Sequence, residues 1–342
     1  MPSTVRIGMV GAGAVAARHV RTLLAVNGVS VAAVADPALE RAKQLAEEAG
    51  AAAYPTHLEL LESERLDAVY ICVPPFAHGP PELAAIDAGL PFFVEKPVAI
   101  DLETAATIAS RLAERPLLTC TGYHWRWLDI FERAAELLAA NPARLVQCHW
   151  LDKVPPPPWW PRRDGSGGQT IEQTTHVLDA ARGLVGEVTE VQAFGSRSSA
   201  RLGAASASKE RTAEAALGGA DIHDVTVASL RFASGALGTV ASTCLLPRLH
   251  RAGVHVVAGG LSLDLSETEL VVEADGQRSV WTAAGDARPR PDRDFVAALR
   301  GGPDAIRVPW PEAYRTHLLA CAITRSAEEG RPLRLAGGNG DG

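Results

Sequence analysis

Long apolar runs are missing from this sequence. None reaches the roughly 20 residues a membrane-spanning helix needs, so no membrane anchor is expected. Runs of basic residues are missing as well. With 33 Lys+Arg against 40 Asp+Glu the formal charge is −7, a balance that argues against nucleic acid as a partner. Cysteine is sparse and unorganised: Cys72, Cys120, Cys148, Cys244 and Cys321 are odd in number, widely spaced and form no CxxC. That excludes a disulfide framework or zinc ribbon, predicts no metal site, and reads as free thiols in a reducing, cytoplasmic compartment. Lysine is scarcest of the charged residues; only Lys43, Lys96, Lys153 and Lys209 occur, while arginine supplies the rest of the positive charge. What remains is 47 % hydrophobic over 342 residues, enough for the cores of two domains.

The amino-terminal half alternates. VRIGMV (5–10) suits a buried parallel strand, GAGAVA (11–16) opens a helix, and VSVAAVAD ends a second strand at Asp36. In this fingerprint Gly11 makes the tight turn and Gly13 lets a pyrophosphate approach the backbone. Ala14 and Val15 continue the turn, and Ala16 keeps helix and sheet close. The phosphates sit at the helix N-terminus, and Asp36 accepts from the adenosine ribose. An acidic Asp36 repels a 2′-phosphate, so NAD is favoured over NADP, with Arg41 the residue that would serve the latter. A signal-peptide reading of the same segment is disfavoured because Gly11 and Gly13 interrupt its apolar centre. Further helices end at Gly50 and Gly89, and strands are expected at 66–73, 91–96 and 116–124. Strand–helix repetition predicts a doubly wound parallel sheet, whose ligands bind beyond the strands' carboxyl ends. Val73, Pro74 and His78 stand at one such end and Glu95 with Lys96 at another; both sets are expected to face the cofactor. His124, Trp125 and Arg126 at a third are expected to shape the substrate pocket. A lysine at position 96, in a chain that otherwise prefers arginine, suggests a need for a compact ammonium; the alternative is a solvated lysine paired with Glu95.

From about residue 144 strands follow one another: 144–152, 188–196, a hairpin about Ala233-Ser234-Gly235, 254–260 and 269–281. This predicts an α+β domain with a large open sheet. Residues 196–220, rich in Ser, Ala and Gly, read as a mobile loop, and the tail GGNGDG as disordered. PPPPWWP (155–161) reads as a loop within the domain more readily than as a PxxP ligand. In SGGQTIEQTTHVLD, Glu172, His176 and Asp179 share one face of an expected helix. Three readings are open: a structural histidine, part of a metal site without a second histidine at ligand spacing, or an acid–base histidine with a carboxylate neighbour. Five tryptophans (125, 127, 150, 159, 160) cluster in one stretch; they are expected either to stack on a sugar ring, with Trp125 and Trp159 the better candidates, or to fill the seam between the domains.

GAGAVA, Ala35-Asp36-Pro37, Val73-Pro74-Pro75, Glu95-Lys96-Pro97 and Gly122-Tyr123-His124-Trp125-Arg126, with the later histidine segment, resemble the glucose–fructose oxidoreductase and inositol dehydrogenase family (Gfo/Idh/MocA). The resemblance spans most of the chain. It implies a Rossmann domain over 1–122 and a substrate-binding, oligomerising α+β domain over 123–342. It also implies a hydride transfer between NAD and a secondary alcohol or ketone of a sugar or cyclitol, and homodimers or homotetramers built on the second sheet. In the family's pattern the third reading of His176 applies: it takes the hydroxyl proton, and Lys96 donates to the same oxygen. Glu172 orients Lys96 or a neighbouring hydroxyl, though it stands where the family usually has Asp, and Thr174 where it usually has Gly. Redox-assisted glycoside cleavage, an imine or tetrapyrrole reductase and a non-enzymatic NAD sensor are the alternatives.

Overall fold

The computed structural model describes residues 4–197, 217 and 219–335; the expected mobile loop and disordered tail lie largely or wholly outside the described residues. The chain divides into two compact units. One takes in the chain up to Trp127 together with Asp286–Tyr314, the other Leu128–Gly285 and the chain from Arg315.

The first unit is built on β1 (Val5–Val10), β2 (Val29–Ala35), β3 (Ala52–Tyr54), β4 (Ala68–Ile71), β5 (Phe92–Val94) and β6 (Thr119–Thr121). Five helices alternate with them: α1 (Ala14–Leu24), α2 (Leu39–Ala49), α3 (His57–Ser63), α4 (Pro80–Ala88) and α5 (Leu102–Glu114). The strands are parallel in the order β3-β2-β1-β4-β5-β6, the doubly wound Rossmann arrangement. Val, Ala, Ile and Phe fill the strands because helices cover both faces; all of β4 and β5 is buried. α2 and α4 stop where Gly50 and Gly89 turn left-handed, and α5 starts where Asp101 accepts from the Thr104 amide. The order reverses between β1 and β4, so the crevice expected for a ligand opens beside Gly11 and Cys72.

Residues 286–314 are where the structure differs from the sequence reading, which ran 123–342 together. The helix Arg290–Leu299 buries Phe295 against Tyr70 and Phe93 of the first sheet, and Trp310 packs its ring on Phe92. A segment that leaves its sequence neighbours for a distant sheet carries no local signal of doing so.

The second unit holds α6 (Asp129–Ala140), α7 (Arg163–Ser166), α8 (Thr175–Val185), the part from Arg315 of the long helix Trp310–Glu329, and nine strands. These are β7 (Ala143–Leu151), β8 (Val188–Ser196), β9 (Val225–Phe232), β10 (Leu237–Thr243), β11 (Arg251–Ala258), β12 (Leu261–Leu265), β13 (Glu269–Ala274), β14 (Gln277–Thr282) and β15 (Leu333–Arg334). Their order is β14-β13-β12-β11-β7-β10-β9-β8-β15; β10 and β7 run parallel and the other pairs antiparallel. α6 and α8 pack on one face. The burial of β9 alternates strictly, as a sheet with one covered face requires. β3, α3, α6 and β12 are elements the sequence reading did not separate. Among the described residues no helix is long and apolar enough to cross a membrane.

Candidate active site

At the glycine turn the backbone is held from both sides. The Gly11 amide donates to Ala35 O (2.7 Å), the Cys72 amide donates to Val10 O (2.8 Å), and Gly11 has φ +98°. A side chain at Gly11 would overlap the Cys72 carbonyl oxygen, so the protein itself demands glycine there. Gly13 differs. Its φ of −82° suits any residue, and a Cβ there would meet nothing within 4 Å. It is also the N-cap of α1, without a side-chain cap and with no acidic residue in the first turn. Open space in front of uncapped helix amides is the cradle a pyrophosphate fills. Val15 is exposed beside it, whereas Ala16 is wholly buried against the sheet.

Asp36 lies at the end of β2 and ties this turn in place: Oδ2 accepts from the Ala12 amide (2.9 Å) and Oδ1 from the Ala38 amide (2.8 Å). A carboxylate has about four lone-pair directions, so capacity remains for ribose hydroxyls. Val73 and Pro74 follow β4 half-buried. His78 is buried behind them; its Nδ1 pairs with Glu82 Oε1 (2.5 Å), and Glu82 Oε2 accepts from the Gly79 amide. Nε2 of His78 is buried with no hydrogen-bond partner among the described residues. That leaves it suited to a group from outside the chain.

Lys96 is half-buried just past β5. Glu95 points inward. Its Oε1 accepts from His19 Nε2 (2.8 Å) and an Arg18 guanidinium nitrogen (2.9 Å), and its Oε2 from the Lys96 amide (3.2 Å). The other His19 nitrogen, Nδ1, meets Asp292 Oδ1 at 2.7 Å. The sequence reading gave Glu95 to the cofactor; here its carboxylate is committed to an internal network. Burial alone would push Glu95 up, but the hydrogen bond and charge of His19, then Arg18 and Lys96, bring it down to about 2. Burial would lower His19, and the Asp292 carboxylate, followed by Glu95, outweighs that and raises it to about 9. A histidine whose pKa is higher folded than unfolded stabilises the fold fully below pH 6.5, and that stabilisation is lost as pH rises toward 9. Urea unfolding should therefore show a midpoint that falls between pH 6.5 and 9 in the wild type. In His19→Gln the fall in that window should be clearly smaller.

Sequence reasoning missed His19. Its signal was legible: with Ala16, Val20 and Leu23 it completes the buried stripe of α1, and a histidine in such a stripe must be partnered. Asp292 carried no such signal.

Beyond β6, His124–Trp127 form a 3₁₀ turn. Trp125 is 2 % exposed, an interior position rather than an open stacking face. The Arg126 guanidinium pairs with Glu312 (3.2 Å), and its carbonyl accepts from Arg307 (2.6 Å). His124 remains partly exposed.

Glu172, His176 and Trp159 belong to the second unit. Thr170–Thr174 form a π-helical turn that passes into α8 at Thr175. The wider turn changes the facing expected from α-helical spacing, and single π turns recur at functional positions. His176 is buried, its ring stacked on Trp150 with centroids 5.6 Å apart and planes 20° apart. Asp179, expected beside it, accepts from the Thr316 hydroxyl (2.9 Å). Glu172 is half-exposed and accepts from Trp160 Nε1 (2.7 Å). Trp159 is half-buried against the cluster of Trp160, Ile222 and Cys244. Removing the acceptor by Glu172→Ala strands a buried indole N–H at a cost of about 1–3 kcal/mol. Glu172→Gln retains an acceptor and should melt near wild type. A loss of kcat/KM in the Gln variant then isolates the charge, and unchanged kinetics would leave Glu172 a support for Trp160.

Four of the five cysteines, Cys72, Cys120, Cys148 and Cys244, are buried and poor nucleophiles. Burial pushes Cys148 and Cys244 up to about 12, and Cys72 and Cys120 rise well above the ordinary range.

Two family models match the chain: residues 5–123 match an oxidoreductase family with an NAD-binding Rossmann fold, and residues 141–262 a GFO/IDH/MocA carboxy-terminal domain. Myo-inositol 2-dehydrogenase of Thermotoga maritima is 29 % identical over 242 residues, covering 69 % of this chain and 67 % of that protein. Inositol 2-dehydrogenase 4 of Saccharopolyspora erythraea is 28 % identical over 312 residues, covering 88 % and 85 %. Among solved structures, levoglucosan dehydrogenase in complex with NADH and L-sorbose superposes with a TM-score of 0.82 at 20 % identity, covering 98 % of this chain and 100 % of that one.

Proposed function

This chain belongs to the GFO/IDH/MocA oxidoreductase family, and on that premise we propose that it is an NAD-dependent dehydrogenase. Its substrate is a secondary alcohol, or the matching ketone, of a sugar or cyclitol. The observation that carries the reading is the match of both halves to one family whose named relatives act on inositol. Those relatives favour alcohol oxidation over glycoside cleavage or imine reduction. The glycine turn fits the cofactor, because Gly13 fronts open space that nothing in the protein requires.

Gly11, Gly13 and the α1 amides would hold the pyrophosphate and Asp36 the ribose; Val73, Pro74 and His78 would line the same crevice. Bound NAD supplies the hydride acceptor. The remaining work falls to side chains of this chain. His176 accepts the hydroxyl proton, which an imidazole can do near neutral pH. Stacking on Trp150 fixes its ring plane. Lys96 donates a hydrogen bond to the oxygen on which negative charge develops, a role suited to an ammonium. Glu172, His124, Arg126 and Trp159 set which hydroxyl is presented. Trp125 supports the pocket from within.

Asp36 should make NAD bind at least about tenfold more tightly than NADP, since a 2′-phosphate would meet its carboxylate. Paired dissociation constants check this, and parity would overturn the role given to Asp36. The activity itself is tested by NADH fluorescence over a panel of cyclitols and sugars in both directions.

A homo-oligomer completes the reading. The uncovered face of the second sheet carries Phe194 directly opposite Val227, and Leu237 beside Leu145, all exposed. Adjacent apolar pairs on an open sheet support a second copy as partner. Sedimentation velocity should give a dimer or tetramer that Val227→Lys weakens. Four buried thiols are in keeping with a cytoplasmic location, which fractionation of the native host tests.

A further inference from the structure

His19 is 1 % exposed, yet both of its ring nitrogens meet carboxylate oxygens within 2.8 Å. A neutral imidazole has one N–H and could serve only one of them. Where both carboxylates are ionised, both nitrogens must donate and the ring is doubly protonated; burial pushes Asp292 up, and the charge and hydrogen bond of His19 work against that rise. With Arg18 on the other side of Glu95 the cluster is then electrically balanced: two cations and two carboxylates. The surroundings are otherwise apolar or weakly acidic. Tyr70 and Phe93 rings lie 5.5 and 4.9 Å from the imidazole; the Tyr70 phenol, Cys72, Cys120 and Asp294 are further titratable groups around the cluster, and the Lys96 ammonium also acts on Glu95.

The Glu95 carboxylate has little room to move. A Cβ at Gly122 would lie 2.5–2.8 Å from its carboxyl atoms, so glycine there keeps its seat. Its remaining oxygen accepts from the Lys96 amide. Anything that tilts this carboxylate therefore tilts the peptide from which the Lys96 side chain departs. We infer that His19 is a positioning residue for Lys96: its doubly donating ring clamps Glu95 to Asp292, and Glu95 fixes the Lys96 backbone. The high pKa of His19, about 9, keeps the clamp closed through the neutral range. The kinetic consequence rests on the proposed role of Lys96; the structural one does not.

The geometry supplies a discriminating pair of variants. An Asn amide nitrogen stands near where Nδ1 stood and a Gln amide nitrogen near where Nε2 stood. His19→Asn thus keeps the Asp292 bond and loses the Glu95 bond, and His19→Gln does the reverse. Reductive ¹³C-methylation of the apo chain gives one signal for each of Lys43, Lys96, Lys153 and Lys209, and Lys96→Arg assigns the one of interest. The clamp predicts that the Lys96 signal keeps its position in His19→Gln and moves or splits in His19→Asn, at comparable melting temperatures. An unmoved signal in folded His19→Asn, or equal movement in both, overturns the inference. Should His19→Asn not fold, Glu95→Gln preserves the shape of the clamped group and must move the signal; an unmoved signal there overturns it equally.

The kinetic arm uses NAD and myo-inositol. His19→Asn should lose about 10- to 100-fold in kcat at unchanged NAD affinity, as a displacement of up to 1 Å does, with His19→Gln within about threefold of wild type. If Lys96→Ala turns over like wild type, the role given to Lys96 fails while the NMR result on His19 stands. If Lys96→Ala is inactive and His19→Asn keeps wild-type kcat, the positioning role alone fails.

Discussion

Lys96→Ala and His176→Ala are each expected to lower kcat by roughly 10²–10⁴-fold, the usual cost of removing a group that handles a proton in the transition state. NAD affinity should stay close to wild type in His176→Ala, because that change touches none of the residues given to the cofactor. Lys96→Arg separates charge from shape. The guanidinium keeps the positive charge but is larger, planar and fixed in its donor directions, so it should recover only part of the rate. His176 lies buried and stacked on Trp150, so its replacement also opens space; His176→Asn fills more of it and guards against a purely structural loss. Steady-state kinetics on a turned-over polyol, with a melting curve for each variant, check the prediction. Near wild-type turnover from both alanine variants would remove the two residues from the chemistry.

The second large effect lies in the glycine turn, where two glycines two residues apart should behave oppositely. Gly11→Ala adds a Cβ where the Cys72 carbonyl stands and forces a positive φ on a residue that resists it. Strain and overpacking together are expected to cost about 3 kcal/mol or more, visible in a denaturant titration without any ligand. Gly13→Ala meets no protein atom and sits at ordinary dihedral angles. Stability should stay within about 1 kcal/mol of wild type. NAD affinity should nonetheless fall at least about tenfold, since the methyl group occupies the space in front of the α1 amides. A wild-type NAD affinity in Gly13→Ala would mean that the open space at the turn is not where the pyrophosphate lies.

Much of this was legible from the residues. GAGAVA followed at the right distance by Asp36 placed the dinucleotide turn, because tight turns and helix N-termini leave a local trace in glycine and small residues. The β/α alternation gave the first sheet, and the crowding of strand signals after residue 144 gave the second. The legible features are those set by neighbours in sequence. Asp292 lies more than 270 positions from His19 in the chain and returns to the first unit by packing alone, so no window along the sequence could pair them. The same holds for Arg126 with Glu312. Glu172 was placed by the spacing of a regular helix, whereas a π turn intervenes there and its carboxylate also accepts from the Trp160 indole, a contact that spacing alone does not show. Local periodicity assumes a regular helix, and that assumption fails where the backbone is wound wider.

The central claim is that this chain moves hydride directly from a carbinol carbon to NAD. The most direct measurement takes a polyol oxidised in the fluorescence panel, deuterated at the reacting carbon, and reads the NADH formed by mass spectrometry. The account predicts one deuterium per NADH, carried on the nicotinamide ring, and a slower rate with the labelled substrate if hydride transfer limits turnover. NADH without deuterium, or label recovered in water, would contradict it.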